Sequence, residues 1–257
     1  MATGSVLARN AKPIAVGVIA GLLSGLLGVG GGFVMVPLFV LWMQVEQKKA
    51  HATSLAAIIT IASFSAAGYA LQDKVDWSAW ALVLLGSVFG ANYGVRLLHS
   101  IPVRELKYIF SGLLLLSALR LLWSTQPHQL LSGVTSHILL VIIGFIAGVA
   151  AGLLGVGGGI IIVPSLIIAA GLDATVARGT SLAVIVGTAI SGTYAHHRRG
   201  NIDWAIVIPA GLAGIPASIV GTYLGTSLPE RITMTLFSFV LIFTAYRMAR
   251  SASSTEA

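Results

Sequence analysis

Six glycines and six polar side chains are the residues of this chain best placed to do chemistry. Gly30-Gly31-Gly32 and Gly157-Gly158-Gly159 each interrupt an apolar stretch and are followed five residues later by Pro37 and Pro164. Downstream, Thr53-Ser54 and Thr180-Ser181 open new apolar segments, with His51 and Arg178 two residues ahead of the threonines. Half-helices that begin at a glycine break expose unpaired N–H groups and the positive end of the macrodipole, which together favour an anion. First-turn hydroxyls add donors for an oxyanion, or simply cap their helices. Arg178 suits sulfonate or carboxylate oxygens, or serves as an interfacial anchor. Glycines also let membrane helices pack closely, so packing stands as the alternative reading of each triplet.

What favours a site is duplication. Gly25-Leu-Leu-Gly-Val-Gly-Gly-Gly returns as Gly152-Leu-Leu-Gly-Val-Gly-Gly-Gly at an offset of 127, and the offset persists without a gap. Thr53-Ser54-Leu55-Ala56 matches Thr180-Ser181-Leu182-Ala183, and Asp76-Trp77 matches Asp203-Trp204. Duplicated bundles with an interrupted helix in each half are a common plan of secondary transporters. The chain divides on this reading into a first transmembrane repeat, residues 1–125, and a second, 126–257, forming one integral membrane domain.

The elements that position these residues follow from hydropathy. Hydrophobic residues make up 56% of the 257, charged residues 9%, and mean hydropathy is +0.95. Apolar peaks fall at 13–44, 52–71, 78–98, 106–123, 138–171, 179–195, 204–224 and 233–249, and a bilayer crossing needs about 20 residues. The fold class is therefore an all-α membrane protein of two pseudo-repeats, about four hydrophobic segments each. The segments 13–44 and 138–171 are overlong, and a helix running unbroken through three glycines and a proline is disfavoured.

Charge decides between a broken crossing helix and a re-entrant hairpin. If each overlong segment crosses, Lys and Arg divide 8 to 7 between the two sides; if each returns, 11 of 15 lie on the side of the N-terminus. The positive-inside bias favours return. Each half then crosses three times, the repeats are inverted, the break is re-entrant, and both termini are cytoplasmic. Residues 123–137 read as the inter-repeat linker and 251–257 as a polar tail.

The exclusions are equally direct. All 8 carboxylates fall in loops or the tail, so none sits mid-span to relay protons or pair with a cation. With 0 cysteines there is no thiolate metal site and no cysteine nucleophile. No catalytic motif, metal site or cofactor is expected. The net charge of +7 tracks segment ends rather than a nucleic-acid surface. Asn92 reads as a helix–helix hydrogen bond, and Trp77 and Trp204 as belt anchors.

The doubled Gly-Leu-Leu-Gly-Val-Gly-Gly-Gly…Val-Pro, followed by Ala-Thr-Ser-Leu and Gly-Thr-Ser-Leu, resembles the TauE/SafE sulfite-exporter family of membrane permeases over residues 14–248. The resemblance implies transport of sulfite, sulfonates or related organic anions across a bacterial or archaeal inner membrane. The expected partners are a small anion and the lipid bilayer. Coupling to H⁺ or Na⁺ and a homo-oligomer are both compatible with the sequence. The rival functions are an anion channel and a membrane assembly subunit that transports nothing.

Overall fold

The computed structural model describes residues 2–97, 108, 111–112, 114–119 and 134–253. Arg104, Lys107, Arg120, most of the segment 106–123, the linker up to residue 133, the 125/126 boundary and residues 254–257 lie outside the described residues. Among the described residues the regular structure is helical throughout. The first half contains α1 (Ala2–Leu27), α2 (Gly32–Leu41), α3 (Gln47–Ala70) and α4 (Trp77–Leu97). The second contains α5 (Val134–Leu154), α6 (Gly159–Ala169), α7 (Ala174–His197), α8 (Trp204–Ser227) and α9 (Glu230–Ser253). Six of these, α1, α3, α4, α5, α7 and α8, are long and apolar enough to cross a bilayer. Large apolar side chains such as Phe89, Leu212, Tyr223 and Phe239 are exposed on the outside, as a lipid-facing surface requires.

Both overlong segments divide at their glycines. α1 stops at Leu27, and φ is positive at Gly28, Gly30 and Gly31 (76°, 79° and 74°), values an L side chain adopts only with strain. Gly155, Gly157 and Gly158 repeat the turn (65°, 80° and 80°). After the first turn the chain runs back beside α1. Gly31 packs on Ala20, and Lys12 Nζ, near the start of the apolar span of α1, donates to Trp42 O at 3.1 Å, just beyond α2. Gly158 packs on Ala147 in the same way.

Two close, parallel helix pairs flank these hairpins. Gly17, Gly21 and Gly25 bring α1 against Ala210, Gly214 and Ser218 of α8, where any Cβ would run into a backbone carbonyl. Gly144, Gly148 and Gly152 of α5 meet Val83, Ser87 and Ala91 of α4 in the matching pattern. Helix faces of small residues of this kind drive association where lipid removes the hydrophobic incentive. Between the pairs, α3 and α7 pack antiparallel: Gly192 meets Leu55, and Gly179 meets Tyr69. Asn92 Nδ2 donates across this core to Ser191 Oγ at 2.8 Å, and the Ser87 and Thr188 hydroxyls bond at 2.7 Å.

Candidate functional site

The two glycine breaks meet at the middle of the molecule. A Cβ on Gly32 would lie 2.7 Å from Gly155 O, and one on Gly159 would lie 2.7 Å from Val29 Cα. Gly30 and Gly157 both face Ile185, each 3.1 Å from its Cγ2 at the Cβ position, with Ile58 close by. The N-termini of α2 and α6 therefore begin side by side. Gly28 N–H closes on Ser24 O and Val34 N–H on Gly31 O. Among the described residues, no backbone carbonyl accepts from the N–H groups of Val29, Gly30 or Gly31 between them. Val156, Gly157 and Gly158 are in the same condition, between Gly155 N–H on Ala151 O and Ile161 N–H on Gly158 O. Buried N–H groups are seldom left unmatched.

Pro37 lies inside α2 and Pro164 inside α6. Each removes the N–H that would have bonded the carbonyl four residues back, Phe33 and Ile160 respectively. Both short helices thus keep open backbone groups in their first turns.

The polar side chains around the breaks bind backbone. Arg178 is buried and uses three donors: Nε to Ala174 O at 3.1 Å, Nη1 to Leu26 O at 3.0 Å, and Nη2 to Thr175 Oγ1 at 3.0 Å. At the matching position His51 Nδ1 donates to Leu153 O at 2.8 Å. Each side chain satisfies a last-turn carbonyl of the helix before a break, where a helix has no acceptor partner of its own and positive charge is favoured. Tyr69 Oη donates to Gly25 O at 2.9 Å, closing another carbonyl of the same turn.

Thr53 Oγ1 accepts from Asp203 N–H at 3.1 Å, and Thr180 Oγ1 from Asp76 N–H at 2.9 Å. These two bonds tie α3 to the start of α8 and α7 to the start of α4. Ser54 Oγ donates to Gly155 O at 3.1 Å, whereas Ser181 Oγ is buried with no partner among the described residues. Burial pushes the Asp76 carboxyl up, but bonds from Ser78 Oγ and the Ala79 and Ser78 N–H groups outweigh it and hold the group below its ordinary range. No cluster of three metal-ligating residues occurs among the described residues.

One feature went unseen in the sequence. A cavity of about 280 Å³ opens between α2, α3, α5 and α9. Phe33 and Val156, one from beside each break, form part of its lining, and Gln47, His51, Thr244 and Arg247 are its polar groups. From sequence, Arg247 is one of the cations at segment ends that set orientation, and nothing in its spacing ties it to Gln47 two hundred residues earlier. The matching wall on the other half, Ile160, Val163 and Pro164 of α6, is buried.

The Sulfite exporter TauE/SafE family profile matches residues 3–121 and 140–257, nearly the whole chain and both halves. The chain belongs to the TauE/SafE family. It is 28% identical over 246 residues to a "Probable membrane transporter protein" of Xylella fastidiosa, covering 93% of this chain and 94% of that one. The "Probable membrane transporter protein YunE" of Bacillus subtilis is 24% identical over 243 residues, 85% of this chain and 88% of its own length. A 35% identity to a Haemophilus influenzae "Probable membrane transporter protein" extends over 125 residues, 46% of this chain and 47% of that one. No solved structure matches the chain. Spanning-length helices and TauE/SafE membership together make it a multi-pass membrane protein of a transporter family.

Proposed function

We propose that the protein is a permease that carries a small anion, sulfite or an organic sulfonate or carboxylate, by alternating access around the paired glycine breaks. The observation that carries this reading is the meeting of two helix N-termini whose preceding N–H groups lack backbone acceptors. Two dipole ends and a set of open donors stabilise negative charge without a cation in the site. Gly30–Gly32 and Gly157–Gly159 would hold the anion, with Ser54 and Ser181 beside the breaks. Thr53, Thr180 and Arg178 would act chiefly by fixing the surrounding helices, and the Arg178 charge would raise the local potential. Pro37 and Pro164 set the half-helix geometry.

The same reading takes residues 1–125 and 126–257 as inverted repeats. The antiparallel packing of α3 on α7, which match each other at the 127-residue offset, supports it. The return of α2 toward Lys12 supports a re-entrant hairpin, and the Lys and Arg distribution supports cytoplasmic termini in an inner membrane. In the conformation seen, the cavity approaches the breaks from the face where α3 begins, while the equivalent wall of α6 is packed shut. A transporter poised open to one face has this asymmetry. Spans without carboxylates and without catalytic motifs support transport over catalysis.

Reconstitution into liposomes and uptake of labelled sulfite, sulfonates, sulfate and small carboxylates tests the proposal. Saturable uptake with counterflow is expected. Flux without saturation or counterflow would instead describe a channel, and no flux of any anion would overturn the reading.

A further inference from the structure

Arg247 differs from Arg178 in one decisive respect. Its guanidinium makes no hydrogen bond or ion pair with any described residue, yet it is half-buried at the wall of the cavity. Among the described residues no carboxylate shares that lining. The remaining polar groups, Gln47, His51 and Thr244, carry no negative charge, and Thr244 Oγ1 donates to Val240 O at 2.7 Å. The rest of the surface is apolar, supplied by Phe33, Val36, Pro37 and Val40 of α2 and by Phe243 of α9. An arginine without an acidic neighbour among the described residues, on a greasy wall, has a defined complement: one negative head and an apolar body.

Size sharpens the choice. Water takes up about 30 Å³ per molecule in the liquid, and a bare oxyanion of four heavy atoms is not much larger. A cavity of about 280 Å³ holds several times that, close to the lower end of pockets that take whole organic ligands. Setting a strongly hydrated oxyanion against these side chains would strip its water and return few hydrogen bonds. A sulfonate or carboxylate with a ring or short chain keeps its charge on Arg247 through a two-pronged bond. Its apolar part covers the α2 wall.

We infer that this cavity binds an organic anion with an apolar body, anchored head-first on Arg247, before the anion reaches the glycine breaks. This rests on the transport reading and names the substrate class more narrowly: organic sulfonates and carboxylates ahead of bare sulfite. Arg247 is the residue that selects charge, and Val36 and Val40 are the residues that limit the body.

Calorimetry on the full chain in nanodiscs, with benzenesulfonate, benzyl alcohol and sulfite as probes, tests it. Benzenesulfonate should bind saturably and benzyl alcohol about tenfold more weakly, since only the former engages the guanidinium. Arg247→Gln should weaken benzenesulfonate about tenfold or more, and Arg247→Lys by less. Val36→Trp fills the cavity from α2 with the guanidinium left in place, so it should abolish benzenesulfonate binding even if Arg247→Gln folds poorly. Equal binding of benzenesulfonate by wild type, Arg247→Gln and Val36→Trp would overturn the inference. So would a phospholipid retained by wild type and lost from Arg247→Gln. If labelled sulfite exchanges in liposomes while benzenesulfonate neither binds nor competes, this inference fails and the transport reading stands. If benzenesulfonate binds through Arg247 while no anion crosses, the transport reading fails and the site remains.

Discussion

Leu26 and Leu153 carry carbonyls that their own helices cannot satisfy, because each lies in the last turn before a break. Arg178 and His51 reach them from across the fold. Arg178→Met keeps much of the buried stem but strips three donors, leaving buried carbonyls unpaired. We expect a loss of about 3 kcal/mol, read as a lower thermal unfolding midpoint in detergent; an unchanged midpoint would contradict this role. Asp76 gives a pH-dependent test. Its carboxyl is held below the ordinary range, so it stabilises the fold above the unfolded pKa of about 3.9 and loses that contribution as pH falls through the folded value. Asp76→Ala should lower the midpoint at pH 7, and the gap to wild type should close below about pH 4. The sequence marks Thr53, Ser54, Arg178, Thr180 and Ser181 as a matched set. It does not reveal that Thr53 and Thr180 serve Asp203 and Asp76, because those partners lie 150 and 104 residues away.

Among the elements, the glycine ladders set the helix spacing. Gly148 of α5 sits against Ser87 of α4 with no room for a methyl group, whereas a Cβ on Gly112 would meet nothing within 4 Å. Gly148→Leu should therefore reduce the folded, monodisperse fraction on size exclusion several-fold, and Gly112→Ala should leave it unchanged. Overpacking at such a contact costs about 1–3 kcal/mol even when the backbone can adjust. Equal behaviour of the two variants would mean that the ladder does not hold α4 to α5. The apolar peaks are legible as helices because twenty uncharged residues leave few other ways to satisfy a backbone in lipid. The division of 13–44 into α1 and α2 is legible from Gly30–Gly32. Which helices pair is another matter. The four-residue spacing of Gly17, Gly21 and Gly25 announces a close contact, but Ala210 and Gly214 are equally small on many faces, and nothing local selects them.

For the molecule as a whole, two features meet: breaks that match at the 127-residue offset, and one accessible wall where its counterpart is sealed. The doubled motif makes the first legible, because a repeat is a property of sequence. The second is a property of tertiary packing, which the repeat does not specify. Phe33 and Ile160, or Pro37 and Pro164, are equivalent by position, yet Phe33 and Pro37 are partly exposed while Ile160 and Pro164 are buried. The central claim is that a negative solute rests where α2 and α6 begin. The most direct measurement is an anomalous-scattering map of the protein crystallised with selenite, a heavier relative of sulfite. The account predicts a selenium peak within hydrogen-bonding reach of the N–H groups of Gly30–Gly32 or Gly157–Gly159. Selenium bound elsewhere, with no peak near either glycine turn, would contradict it.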